Sequence, residues 1–227
     1  MRPQINTILF DLDGTLIDTA PDLAYTLNLL REENGLATIP YEKIRPSVSN
    51  GANAILNVGF DADPTQVEFT RLKKRFLEIY LENLSSKSIL FPGMDKLLNE
   101  IEGLQMNWGV VTNKPGYLTE PLMSDLNLDR RAACIVSGDS TNSRKPDPEP
   151  LMHACRQIDV MSGNCLYVGD AQRDIEAGRR AGMKTLVALF GYINQSDCPK
   201  DWHADGMISH PGEILDWIET FNKPDSI

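Results

Sequence analysis

Six short apolar runs, "INTILFD", "MNWGVVTN", "AACIVSGD", "NCLYVGD", "KTLVALFG" and the weaker "DGMISH", each break off at polar or small residues. Runs this short and this continuously apolar suit strands buried on both faces, the pattern of a parallel sheet. Between them lie "GMDKLLNEIEG", "LTEPLMSDLNL", "DPEPLMHACRQID" and "DIEAGRRAG", with apolar residues at helical spacing and acidic residues or proline near their starts. Strand and helix alternate from about Lys87 onward, so the chain is expected to be an α/β protein built on a doubly wound parallel sheet.

The segment from about Leu16 to Asn83 breaks that alternation. "APDLAYTLNLLREENG" carries Pro21 in its first turn, Leu23, Leu27 and Leu30 on one face, and Gly35 as a stop. "NGANAILNVGF" and "PTQVEFTRLKKRFLEIYLENL" are two further helical patterns, with Phe69, Leu72, Phe76 and Tyr80 forming a packing stripe, and no strand is expected among them. The expected division is a core of residues 1–15 and 84–227 and an inserted helical cap, residues 16–83, over the sheet edge.

With 227 residues, 41% of them hydrophobic, the chain can bury a substantial core. Its formal net charge of -10 disfavours nucleic acid or an anionic membrane as partner, so an anionic substrate must be attracted locally. The apolar runs are too short to span a membrane, and the N-terminus turns acidic where a signal peptide would need its cleavage site; a cytoplasmic location is expected. Cys134, Cys155, Cys165 and Cys198 have neither metal nor redox spacing and read as reduced thiols, and His153, His203 and His210 read as structural or surface residues.

In open α/β sheets ligands bind beyond the carboxyl ends of the strands. The first strand delivers Asp11 and Asp13 there; the second delivers Thr112, Asn113 and Lys114; "CLYVGD" delivers Asp170, with Asp174 a turn later; and Lys145 precedes the helix after the third strand. Clustered carboxylates need a hard cation, which makes Asp11 and Asp170 candidate Mg²⁺ ligands. An aspartate can also attack phosphorus, and Asp11 suits that role, with Asp13 placed to protonate the leaving oxygen and then activate water. Gly14 permits a tight turn whose N–H groups can meet phosphate oxygens, Thr112 adds a hydroxyl donor, and Lys145 supplies positive charge.

"DLDGT", "VVTN", "RKP" and "VGDAQRD" resemble, in order and across nearly the whole chain, the four motifs of the haloacid dehalogenase superfamily of phosphatases. The resemblance implies a Rossmann-like core with a small helical cap of the phosphoglycolate phosphatase branch. It makes Asp11 the nucleophile, Asp13 the general acid/base, Thr112 the phosphate-binding hydroxyl and Lys145 the charge-balancing lysine. Mg²⁺ would be held by Asp11, the Asp13 carbonyl and Asp170, with Asp174 supporting the site.

By the same resemblance the reaction is hydrolysis of a small phosphate monoester through an aspartyl-phosphate. "DTAPDL", "SNGA" and "VTNKP" resemble phosphoglycolate phosphatases, whose activity is the expected one; the alternative comes from "WGVVTNKP", "EPLM", "SRKPDPEPL" and "FGYI", similar to phosphatases acting on N-acetylmuramic acid 6-phosphate, an amino sugar phosphate of peptidoglycan recycling. A sugar-phosphate mutase, and outside enzymes an aspartate-phosphorylated receiver domain, are the other readings. Asn113 and Gly14 in the core and Ser49, Asn50 and Gly51 in the cap are the expected substrate contacts, with Arg45 a candidate partner for a carboxylate. A monomer or homodimer is expected.

Overall fold

Residues 7–10, "TILF", are buried on both faces because they run through the middle of a six-stranded sheet. The structure is a computed structural model that describes residues 4–60, 67–194 and 196–223. In chain order its elements begin with β1 (Thr7–Phe10), β2 (Ile17–Asp18), α1 (Ala20–Glu33) and α2 (Tyr41–Ile44), which runs into a 3-10 turn at Arg45–Asn50. There follow α3 (Gly51–Gly59), α4 (Val67–Glu82), β3 (Ile89–Leu90), α5 (Met94–Gly103), β4 (Asn107–Val111) and α6 (Gly116–Asp125). The chain continues with β5 (Ile135–Val136), α7 (Glu149–Gln157), β6 (Cys165–Gly169), α8 (Gln172–Arg180), β7 (Lys184–Ala188), β8 (Gly206–Ile208) and α9 (Glu213–Asn222).

The sheet order is β5-β4-β1-β6-β7-β8, with every pairing parallel, so all six expected strands are present in one doubly wound, Rossmann-like sheet. Chain order reverses direction around β1, which creates the crevice where ligands bind in such sheets. Register fixes what reaches that crevice. Phe10 lies level with Val110 on one side and Val168 on the other, so Asp11, Thr112 and Asp170 leave the sheet at the same edge.

The helical segment folds as its periodicity predicts. In α1, Pro21 sits in the first turn, where no intrahelical N–H is needed, and Leu23, Leu27 and Leu30 are buried. The α4 stripe Phe69, Leu72, Phe76, Ile79 and Tyr80 is buried in the same apolar cluster as Phe10, Leu98 and Trp108. One core therefore runs from the sheet into the helices above it. The start of the third helical pattern, at Pro64–Gln66, lies outside the described residues.

One expectation fails here. Ile17–Asp18, inside the segment expected to lack strands, pairs antiparallel with Ile89–Leu90, so the two crossings between sheet and helices form a short ribbon. Two residues are too few to show an alternation in sequence. The buried Asp22 carboxylate fastens the same crossing by accepting hydrogen bonds from Lys87 N (2.9 Å), Ser88 N (2.8 Å) and the Ser88 hydroxyl (2.7 Å). Cys134, Cys155 and Cys165 are buried free thiols and Cys198 is an exposed one.

Candidate active site

Asp11, Asp170 and Asp174 are all buried, and each offers a carboxylate oxygen within 4.8 Å of the others'. Three such charges repel one another, and the structure supplies one cation among them: Lys145, from the loop ahead of α7. Its Nζ lies 2.8 Å from Asp11 Oδ1 and 2.8 Å from Asp174 Oδ1, and donates to the Tyr167 hydroxyl (2.7 Å) and the Val111 carbonyl (3.0 Å). Burial opposes the ammonium charge, but Asp11 and Asp174 outweigh it and hold the Lys145 pKa above its ordinary value.

One ammonium does not neutralise three carboxylates. Burial, with the Asp174 charge adding to it and Lys145 working against it, pushes Asp11 up to about 6. Burial and then the Asp11 and Asp174 charges push Asp170 up to about 7, against hydrogen bonds from Ser49 and the Tyr192 amide. Among the described residues, none gives the buried Asp170 Oδ1 a hydrogen bond. A partnerless buried carboxylate oxygen beside a second carboxylate is an all-oxygen donor set that fits a hard divalent cation. Asp174 is already engaged: its Oδ1 faces Lys145, and its Oδ2 accepts the Ala171 amide at 3.0 Å at the start of α8.

Asp13 stands apart from this cluster. Its Oδ1 accepts the Thr19 hydroxyl at 2.6 Å and the Lys114 ammonium at 2.8 Å, and the residue lines the cavity beside Asp11. Thr112, buried at the end of β4, also lines that cavity, and its hydroxyl accepts the Lys114 amide at 3.2 Å.

Expected substrate contacts also make hydrogen bonds within the protein. Gly14, at φ +87°, donates its N–H to the Ile17 carbonyl at 3.1 Å, so that amide closes the turn instead of facing a ligand. What Gly14 provides is close approach: a Cβ there would strike the Asp170 carboxylate and the Tyr192 ring. Gly14→Ala is therefore expected to destabilise the protein by about 2 kcal/mol or more and to remove most activity, as checked by urea unfolding beside turnover. Asn113 spends its amide on the Lys145 backbone, donating to the carbonyl and accepting from the N–H, both at 3.0 Å, which seats the lysine. Ser49 donates its hydroxyl to Asp170 Oδ2 at 2.7 Å, and Arg173 donates to the Ser49 carbonyl and to Asn50 Oδ1. Arg45 donates to the Gly191 and Phe190 carbonyls with its guanidinium 4.8 Å from the Tyr192 ring centroid, and is not among the residues lining the cavity.

The cavity, about 410 Å³, opens between the sheet edge and the helices, and Ser49, Asn50 and Gly51 line it. Leu23, Val48, Ile55, Phe76, Leu77 and Leu118 give it an apolar wall. Lys73, Lys114, Arg144 and Arg173 line it against two carboxylates, Asp11 and Asp13, so the site is cationic in a chain of net charge -10. Sequence reasoning places Lys114 at the sheet edge without a role and reads Tyr80 as packing alone. Lys114 stood in "VVTNK" and Tyr80 at the end of a helical stripe, but only the fold brings them together: the Lys114 Nζ donates to the Tyr80 hydroxyl at 2.7 Å. Burial opposes the Lys114 charge, and the nearby Asp13 and Tyr80 hold its pKa well above the ordinary value.

The chain is similar to known proteins over nearly its whole length. A Pseudomonas putida protein named N-acetylmuramic acid 6-phosphate phosphatase is 41% identical over 96% of this chain and 97% of its own. A Xanthomonas campestris pv. campestris protein named phosphoglycolate phosphatase is 41% identical over 91% of this chain and 93% of its own. A crystal structure titled as a predicted phosphoglycolate phosphatase from Haemophilus somnus superposes with a TM-score of 0.83 at 28% identity, covering 96% of this chain and 99% of that one. The family profile described as "Haloacid dehalogenase-like hydrolase" matches residues 8–188, from β1 through β7 and across every carboxylate and lysine of the site, so the chain belongs to the haloacid dehalogenase-like hydrolase family.

Proposed function

We propose that the protein is a Mg²⁺-dependent phosphatase that hydrolyses a phosphate monoester in two steps through Asp11. The observation that carries this reading is the buried Asp11, Asp170 and Asp174 cluster, in which Lys145 bridges Asp11 and Asp174 and Asp11 lines a cationic cavity. Asp11, Asp170 and the Asp13 carbonyl would hold Mg²⁺, with Asp174 acting through Lys145 and the start of α8. When bound, the ion neutralises charge on the carboxylates and on the transferring phosphoryl group. Lys145 keeps the Asp11 carboxylate in place as nucleophile. Thr112 and the cavity cations Lys73, Arg144 and Arg173 receive the phosphoryl oxygens, while Lys114 is engaged with Asp13. Asp13 protonates the leaving oxygen, then takes a proton from the water that cleaves the aspartyl-phosphate. The helices of residues 16–83 act as the cap that excludes bulk water.

For the substrate, cavity size favours the amino sugar phosphate. About 410 Å³ with an apolar wall falls within the ~300–1,000 Å³ of sites that enclose ligands of drug size, and a two-carbon acid phosphate would leave most of it empty. The name of the Pseudomonas putida relative agrees with N-acetylmuramic acid 6-phosphate. The second reading, 2-phosphoglycolate, has in its favour the name of the equally identical Xanthomonas relative. Turnover in Mg²⁺ with both compounds side by side decides between them: kcat/KM at least ~10²-fold higher for the sugar phosphate is expected, and the reverse preference would assign the small substrate.

The perturbed carboxylates also give the metal a pH signature. Asp11 and Asp170, raised to about 6 and about 7, bind protons more tightly folded than unfolded. Their contribution to stability is therefore present near pH 4 and lost as pH rises through about 7, where Lys145 in the cluster and Arg173 nearby oppose the repulsion with Asp174 only in part. The metal-free protein is expected to melt about 5 °C lower at pH 8 than at pH 5, with millimolar Mg²⁺ removing most of the difference. A Tm that rises over this range without metal would contradict the cluster's charge state.

A further inference from the structure

Asp13 is held from one side only. Its Oδ1 takes two donors, the Thr19 hydroxyl at 2.6 Å and the Lys114 ammonium at 2.8 Å, and none of the described hydrogen bonds reaches its Oδ2. The Lys114 side chain is 6% exposed and that of Asp13 19%, so this ion pair is largely shielded from water while the carboxylate keeps an opening to the cavity. A carboxylate saturated on one oxygen exchanges protons through the other. Lys114 is in turn held from above: its Nζ donates to the Tyr80 hydroxyl at 2.7 Å and lies 4.7 Å from the centroid of that ring. Tyr80 is buried on α4, one of the helices that roof the cavity, whereas Lys114 follows β4 at the sheet edge.

We propose that Lys114 and Tyr80 are positioning residues for Asp13: Lys114 fixes the carboxylate so that its free oxygen faces the reacting atoms, and Tyr80 makes that placement depend on the seating of α4. The proposal rests on the phosphatase reading and adds to it a link between helix docking and proton transfer. The proton balance is simple. The oxygen of Asp13 that faces the cavity gives its proton to the departing alkoxide as the P–O bond breaks, and recovers one from the water that adds to the aspartyl-phosphate. The ammonium of Lys114 keeps its three protons throughout.

A structural role and a positioning role predict different dependences on the leaving group. For p-nitrophenyl phosphate the leaving group departs as a stable anion and needs no proton; for an alkyl phosphate such as N-acetylmuramic acid 6-phosphate or 2-phosphoglycolate it does. Because kcat/KM reports events up to departure of the leaving group, Lys114→Met should lower it at least ~10²-fold for the better alkyl substrate and less than about threefold for p-nitrophenyl phosphate. Hydrolysis of the aspartyl-phosphate still needs the base, so the variant should release a burst of nitrophenolate equal to the enzyme concentration and then turn over slowly. Tyr80→Phe, which keeps the ring and loses the hydroxyl, should show the same selectivity with about a tenfold loss. Equal losses for both ester types, or no loss for either, would overturn the proposal. Wild-type protein that hydrolyses no ester in Mg²⁺ would instead overturn the phosphatase reading, so the two failures are distinguishable.

Discussion

Asp11→Asn abolishes turnover, with kcat down by at least ~10⁴-fold, and leaves the protein at least as stable as the wild type in the absence of metal. The first half follows from the role of Asp11. Uncatalysed monoester hydrolysis is slow enough for accelerations approaching ~10²¹, and a neutral amide neither attacks phosphorus nor holds a divalent cation well. The second half follows from the charges. Asp11 is buried beside Asp170 and Asp174, and its carboxyl is already pushed up to about 6, so removing its charge relieves repulsion. Lys145 keeps Asp174 as partner in the variant. Activity assays combined with thermal melts therefore separate loss of chemistry from loss of fold. A variant that is inactive and several degrees less stable would mean that Asp11 serves the fold as well.

Lys145→Met is expected to damage both. Its ammonium, with a side chain 1% exposed, is the group that lies 2.8 Å from both Asp11 and Asp174. Replacing it leaves two buried carboxylates without their cation, a change that typically costs about 3–5 kcal/mol. Activity should fall by at least ~10³-fold, since the nucleophile loses its positioning charge. Combining the change with Asp174→Asn tests the cause. The double variant should recover most of the stability, because one of the stranded charges is gone, and none of the activity. Urea denaturation of the four proteins of this cycle gives the coupling energy, and a value near zero would show that the contact does not govern stability.

The fold was open to sequence reading where the physics is local and repeated. All six apolar runs became strands of the sheet: β1 and β6 are buried along their whole length and so are mainly apolar, while the weaker run became β8, which leaves Met207 exposed. The α1 and α4 patterns held because an amphipathic stripe serves any helix that covers a core. The Ile17–Asp18 and Ile89–Leu90 ribbon was not legible, since two-residue strands carry no period and pair across the whole helical segment.

The candidate site divides the same way. Asp11, Thr112 and Asp170 were placed together because each follows a strand, and the parallel register brings strand ends to one edge. The use of individual atoms could not be read from the chain. Whether the Gly14 N–H points at a ligand or at Ile17 depends on a turn closed by hydrogen bonding, and whether the Asn113 amide meets substrate or the Lys145 backbone depends on a loop that follows another strand. Arg45 shows the limit most clearly. As a cation in the helical insertion it suited a carboxylate, but the Phe190–Gly191 turn places two carbonyls and an aromatic face within its reach. Tyr80 shows the converse: its ring belongs to the packing stripe, yet its hydroxyl and ring face also meet the Lys114 ammonium.

The account turns on a covalent phosphoryl group at Asp11, and chemical trapping examines that directly. Asp13→Asn protein, mixed with p-nitrophenyl phosphate, whose leaving group needs no proton, and Mg²⁺, should accumulate the aspartyl-phosphate, because the water that cleaves it has lost its base. Acid quenching followed by borohydride reduction converts an acyl phosphate to the alcohol, so peptide mass spectrometry should find homoserine at position 11. Homoserine at another aspartate, or phosphate release with no reducible position anywhere in the chain, would contradict the assignment of Asp11 as nucleophile.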